Sequence, residues 1–179
     1  MTMLLIVLLL ALCLAALAFV KNAATAPSNS KQLAATLCSL AEQGDALTQA
    51  KLGEMYRLGQ GVALDLMQAA IWYRKAADQG FDAAQNDLGV MYAEGQGVEQ
   101  DDVQAVIWFR KAADRGLASA QYNLALMYRA GRGVAQDDML AKSWYRKAAD
   151  QGFAPAKNAL RAIETTEAYE DVKVMVTPQ

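Results

Sequence analysis

From residue 45 onward the apolar positions fall on two helical stripes that alternate along the chain. Leu52, Met55, Tyr56 and Gly59 stand at i, i+3, i+4 and i+7, and Ala69, Trp72, Tyr73 and Ala76 take the same spacing one segment later. Residues so spaced share one face of a helix with 3.6 residues per turn, so each stripe predicts an amphipathic helix. Helices of about 13 residues would be roughly 20 Å long. The pattern breaks at Gly59-Gln60-Gly61-Val62. The first glycine can end a helix in the left-handed region, where a Cβ is penalised, and the second lets the chain reverse. The valine is expected to plug the space between the two helices. Asp65, three residues before Gln68, has the spacing of a capping box and marks the start of the second helix.

The pattern returns every 36 residues. Trp72 to Gly80 reappears as Trp108 to Gly116, with Phe109 and Arg115 as the changes, and again as Trp144 to Gly152. The turn reappears as Gly95-Gln96-Gly97-Val98 and Gly131-Arg132-Gly133-Val134, and the cap as Asp101 and Asp137. A fixed period of this length is the mark of stacked supersecondary units, because one helical hairpin cannot bury its own apolar face. The full units are 45–80, 81–116 and 117–152. Half-units close the ends, at 33–44, where Ala41 to Gly44 aligns with Ala77 to Gly80, and at 153–168, where Ala156 and Leu160 align with Ala120 and Leu124. The predicted fold is all-α: a right-handed α/α solenoid of three helical hairpins with half-repeat caps over 33–168, preceded by an N-terminal apolar helix. Gly53, Gly89 and Ala125 on the first helices, and Ala69, Ala105 and Ala141 on the second, let neighbouring backbones come close. The Trp and Tyr residues recur in phase with them and read as packing rather than as a ligand cage.

Ahead of the repeats lies an uncharged apolar run, Met3 to Val20. About 18 such residues can cross a bilayer as a helix. Residues 1–20 are therefore expected to be a transmembrane anchor or a signal peptide, with Ala16-Leu17-Ala18 as a candidate cleavage site, and 21–32 a linker. Lys21 and Lys31 follow the run and none precedes it, which on its own favours cytoplasmic repeats. Residues 169–179 are expected to be a flexible tail.

Composition narrows the chemistry. The chain has 179 residues, net charge −2 and no histidine. The charge offers no basic surface for nucleic acid, and the usual imidazole base and metal ligand are missing. Cys13 lies in the apolar run, so Cys38, flanked by Leu37 and Leu40, reads as a small buried hydrophobe. Gly-x-Gly follows a helix and lacks the third glycine of a dinucleotide fingerprint. Ser28 to Lys31 matches Ser-x-x-Lys only by chance, with no companion motif. The recurring pairs Arg74-Lys75, Arg110-Lys111 and Arg146-Lys147 read as a solvated face with i, i+4 partners at Asp78, Asp114 and Asp150.

The sequence Leu-Gly-x-Met-Tyr, then Gly-x-Gly-Val, then Ala-x-x-Trp-Tyr-x-Lys-Ala-Ala-x-x-Gly resembles the Sel-like repeat, a tetratricopeptide relative, across residues 45–152. Ala125 in place of Gly, and Ser143 in place of Ile71 and Ile107, are the departures. The resemblance implies a curved helical solenoid that assembles protein complexes, often in bacterial envelopes or secretory compartments. It implies no catalytic residue, no cofactor and no metal. The expected role is a non-catalytic adaptor, anchored or exported, with periplasmic repeats; the alternative location is an anchor with the repeats in the cytoplasm. An envelope glycan-binding protein or a β-lactam-acting enzyme is the alternative function, although the relatives linked to β-lactams carry paired cysteines in each unit and this chain does not.

Positions that vary between units are free to face a partner. On the first helices these are Lys51, Asp87 and Asn123, then Glu54, Val90 and Leu126, then Arg57, Ala93 and Arg129. If the first helices line the concave surface, Val90 and Leu126 are exposed apolar spots beside Arg57 and Arg129. The predicted partner-binding set is Lys51, Glu54, Arg57, Asp87, Val90, Asn123, Leu126 and Arg129.

Overall fold

The computed structural model describes residues 29–176, with side chains described from 35 to 166. The apolar run and the first part of the linker lie outside the described residues. Among the described residues there are eight helices and no strand: α1 Asn29–Glu42, α2 Ala46–Leu58, α3 Leu66–Asp78, α4 Asp82–Glu94, α5 Asp102–Asp114, α6 Ala118–Ala130, α7 Asp138–Asp150 and α8 Ala154–Val176. Each helix packs on the next, so α2–α3, α4–α5 and α6–α7 form three hairpins between α1 and α8. The α1 helix begins inside the stretch read as linker, since no Pro or Gly interrupts residues 28–42. The α8 helix runs past the expected cap to Val176, because no Gly or Pro breaks residues 156–176.

The helix starts show which sequence signals act. Asp65, Asp101 and Asp137 each accept a hydrogen bond from a backbone N–H in the first turn of the second helix. The reciprocal half of the capping box is absent. The backbone N–H of each of these aspartates instead donates to the carbonyl of Tyr56, Tyr92 or Tyr128 at 2.9–3.0 Å, tying the two helices of one hairpin together. Gly59, Gly95 and Gly131 close the first helices with φ of 66°, 68° and 63°. The second glycine of the turn does more than reverse the chain. A Cβ on Gly97 would stand 2.2 Å from the Leu66 carbonyl oxygen, and one on Gly133 would stand 2.2 Å from that of Asp102. The turns of the second and third units thus seat backbone-on-backbone against the second helix of the unit before, which no residue with a side chain permits.

The core is a continuous column. Tyr73, Tyr145, Leu52, Leu88, Met91 and Leu124 are its largest fully buried side chains, filled in by the alanines of the second helices. Burying a side chain such as Leu stabilises by about 1.5–3 kcal/mol. Val98 and Val134 pack partly buried against this column. Cys38 is half-buried against the cluster of Ala41, Leu52 and Trp72.

A buried polar ladder runs through the column. Gln49, Gln85 and Gln121 donate through Nε2 to the carbonyls of Ala41, Ala77 and Ala113 at 3.0–3.2 Å. These carbonyls lie in the last turns of α1, α3 and α5, and each also accepts the backbone N–H of Gly44, Gly80 or Gly116, so the glutamine takes up its remaining acceptor capacity. The ladder therefore couples each unit to the one before it.

Candidate functional site: the first-helix face and its C-terminal end

Of the basic pairs of the second helices, the three lysines and the first two arginines are spent inside the scaffold. Lys75, Lys111 and Lys147 lie 3.7–3.9 Å from the ring centres of Trp72, Trp108 and Trp144. Arg74 donates to the Tyr92 hydroxyl and Arg110 to that of Tyr128, each one unit ahead. Among the described residues no ion pair joins these cations to Asp78, Asp114 or Asp150; the ring faces and hydroxyls one turn or one unit away hold them instead. Arg132 and Asp102 do form an ion pair, at 2.6 Å.

The predicted partner-binding residues divide into two groups. Four are tied into the framework. Arg57 donates through Nε to the Tyr73 hydroxyl at 3.4 Å. Asp87 lies half-buried beside Arg57 and Tyr73, and burial pushes its carboxyl above the usual range. Asn123 donates to Asn86 at 2.9 Å, bridging α6 to α4. Val90 is half-buried against the core column, so it is not the exposed spot that variation between units suggested: its face of α4 meets the packing of the neighbouring helices. The other four, Lys51, Glu54, Leu126 and Arg129, are exposed. Leu126 keeps 40% of its surface in solvent.

The framework group changes as a set. Arg57, Tyr73 and Asp87 in and after the first unit correspond by period to Ala93, Phe109 and Asn123 in and after the second. The third unit restores Arg129 and Tyr145. There the tyrosine hydroxyl is buried without an aligned hydrogen bond, although Arg129 stands close enough to bear on its ionisation. Burial pushes the hydroxyl of Tyr145 up, and that of Tyr73 up to about 12.

Arg129 also lines a cavity of about 240 Å³ with Asp138, Met139, Ala141, Lys142, Ile163 and Thr166, where α6, α7 and α8 meet. Sequence reasoning found Arg129 but not the cavity, because α8 completes it from beyond the last full period. It also missed Met67, Ile71, Val103, Ile107 and Met139, which are exposed at recurring registers of the second helices. Their signal was available: apolar residues one and two turns before each basic pair. No group of three or more His, Cys, Asp or Glu among the described residues could hold a metal ion. No helix among them is long and apolar enough to cross a membrane.

Known proteins share this architecture. The Sel1 repeat matches residues 46–81, 82–117 and 118–153, one residue on from the frame read off the period. No curated protein matches the chain. Among solved structures, c5321, a protective antigen of uropathogenic Escherichia coli with an SLR fold, is 46% identical with a TM-score of 0.65. The match covers 66% of this chain and 26% of that one, so this chain spans about a quarter of that protein. A Sel1 repeat protein from Oxalobacter formigenes is 42% identical over 71% of this chain and 96% of its own, with a TM-score of 0.65. Cysteine rich protein B of Helicobacter pylori, 20% identical over 75% of this chain and all of its own, has a TM-score of 0.61 and shares the fold. Sel1-repeat proteins generally mediate protein–protein interaction and are typically non-catalytic scaffolds. With three consecutive matches over most of its length, on a stack of helical hairpins, this chain belongs to the Sel1 repeat family.

Proposed function

We propose that the chain is a non-catalytic adaptor of the bacterial envelope that holds a protein partner on the face of its first helices. One observation carries this reading. Lys51, Glu54, Leu126 and Arg129 lie at first-helix positions that vary between units and stand exposed, while the repeating first-helix positions, the Gln49 and Leu52 registers among them, are consumed in packing. A preformed helical frame spends little conformational entropy on binding, so a few exposed anchors suffice. Leu126 beside Arg129 is an apolar and cationic pair of the kind that dominates interface energetics. The apolar run Met3 to Val20, read as an anchor or export signal, would hold the repeats at or beyond the inner membrane. The glycan-binding alternative loses its main support, since the basic ladder it needs is stacked on the scaffold's own aromatic residues.

The test is affinity capture with the full chain, comparing the unaltered protein with the triple change Glu54→Ala, Leu126→Ala and Arg129→Ala. Loss of the specific partners at unchanged helicity supports the face; an unchanged set of partners would sink it. A phosphatase fused after Ala168 checks the location: activity requires the repeats to lie outside the cytoplasm.

A further inference from the structure

The outward faces of the second helices carry an apolar pattern that the fold does not use. Met67 and Ile71 on α3, Val103 and Ile107 on α5, and Met139 on α7 occupy two registers one helical turn apart, and each keeps 41–78% of its surface exposed. Ser143 fills the one remaining place. A solvated helix face is ordinarily polar, so apolar side chains that stay outside in unit after unit mark a contact surface. They recur with the period, unlike the variable residues of the first helices.

Charge follows a fixed order along the same faces. The start of α5 is acidic: Glu99, Asp101 and Asp102 gather there, and of these Asp102 is paired with Arg132. Glu99 is exposed and belongs to this unit alone, where the others have Ala63 and Ala135. On α3 the two apolar registers are followed by Arg74-Lys75, which outweighs Asp78 one turn on. The Lys75 ammonium rests on one ring face of Trp72 and stays exposed, so it keeps its charge and donors for a carboxylate. A groove of about 430 Å³ follows α3 past Met67, Ile71 and Lys75, with Gly97 and Val98 of the next turn on its flank.

We propose that this face is the interface of a two-fold homodimer, in which α5 of each copy lies antiparallel in the α3 groove of the other. Antiparallel packing sets Val103 and Ile107 of one copy against Ile71 and Met67 of the second, and it brings the acidic start of α5 to the basic pair of α3. A parallel arrangement would instead set Arg110-Lys111 against Arg74-Lys75. The order acidic, apolar, basic is complementary to its own reverse, which is what a two-fold contact requires. The helices of both copies also repeat at one spacing, so a fit made at one hairpin carries over to the next. An unrelated partner would have to supply both matches by itself. The interface uses second helices and does not depend on the first-helix face holding a partner.

Sedimentation of the full chain in density-matched detergent micelles, followed over concentration, tests the dimer. Contacts between a few short helices are at the small end of specific interfaces, so association should set in at micromolar concentrations and be evident by about 100 µM. Val103→Glu should weaken it by about tenfold or more. Glu99→Lys and Lys75→Glu should each weaken it by about three- to tenfold, and the two together should restore it, because the exchanged charges then meet across the interface. Melting temperature checks that each variant keeps the fold; Val103→Glu and Glu99→Lys change exposed side chains and carry the test even where Lys75→Glu loosens its hairpin. Monomers at every concentration up to about 100 µM, dimers indifferent to both Val103→Glu and Glu99→Lys, or a folded double exchange that fails to recover association would overturn the proposal. None of these residues lies on a first helix, so capture of a partner there is read separately.

Discussion

The first and second units differ at positions that look free in the sequence and are not. In the first, Arg57 reaches the Tyr73 hydroxyl with Asp87 alongside. In the second, the same registers hold Ala93, Phe109 and Asn123. The arginine and the hydroxyl disappear together. A buried phenol without a donor or acceptor costs free energy, so removing both partners is cheaper than removing one. The glutamine ladder shows the opposite case, in which one partner changes and the other stays. Gln79 donates to Gln49 at 2.7 Å and Gln151 to Gln121 at 2.8 Å. Arg115 stands in that register in the second unit, and there the buried Oε1 of Gln85 has no partner. Variation between units therefore mixes residues that swap as packed sets with residues exposed to solvent, and geometry is what separates them.

The contrast can be broken hardest at the ring itself. A Cβ on Gly89 would stand 2.7 Å from the Phe109 ring, against 3.0 Å from Tyr73 at Gly53. Gly89→Ala should destabilise by about 2–3 kcal/mol and Gly53→Ala by less, measured by urea unfolding. Phe109→Tyr buries a hydroxyl where no arginine waits and should cost about 1–3 kcal/mol; adding Ala93→Arg should recover part of it, and a double-mutant cycle reads that coupling. Arg57→Ala should cost about 1–2 kcal/mol by stranding the Tyr73 hydroxyl, and Tyr73→Phe in that background should restore most of the loss. Arg115→Gln, which copies the other units, should stabilise by about 0.5–1 kcal/mol through the Gln85 oxygen.

The smallest effects are in pH dependence. Burial holds the Tyr73 proton up to about 12, above the ordinary 10.0. The native state keeps a proton that the unfolded chain releases, so this contribution is complete below pH 10 and is lost as pH rises toward 12. Tyr73→Phe should flatten that decline in a stability profile. Asp87, raised by burial, has the same sign at acid pH: its share of stability is present below the ordinary value of 3.8 and is lost as pH rises through its raised value. Asp87→Asn, the residue found one unit later, should raise the melting temperature at neutral pH by about 1–2 °C, and the gain should vanish in acid.

The repeat frame, the hairpins and the left-handed glycines were legible because each depends on local chemistry that recurs in one register. Gln49, Gln85 and Gln121 carried the same periodic signal, but a glutamine on a helix reads as solvated until the carbonyl it meets is known. The Arg74–Tyr92 and Arg110–Tyr128 contacts span 18 residues, half a period, so alignment of units one on another hides them. Val90 was misread for a related reason: variation shows that a position tolerates change, and a half-buried valine against an adaptable neighbour tolerates it as readily as an exposed one. The cavity depends on α8 continuing as helix, which no comparison among complete units reveals.

The seats of Gly97 and Gly133 also bear on how such a chain lengthens or shortens over evolutionary time. Each seat joins main chain to main chain, and the glutamine and Arg–Tyr bonds between units recur in the same register, so hairpins that keep these residues are compatible neighbours. Excision of 82–117 would bring Gly133 onto the Leu66 carbonyl with the same fit, whereas a cut of any other length would throw the glycine out of phase. Gain and loss of DNA in blocks of 36 codons is then the natural currency of change for this gene.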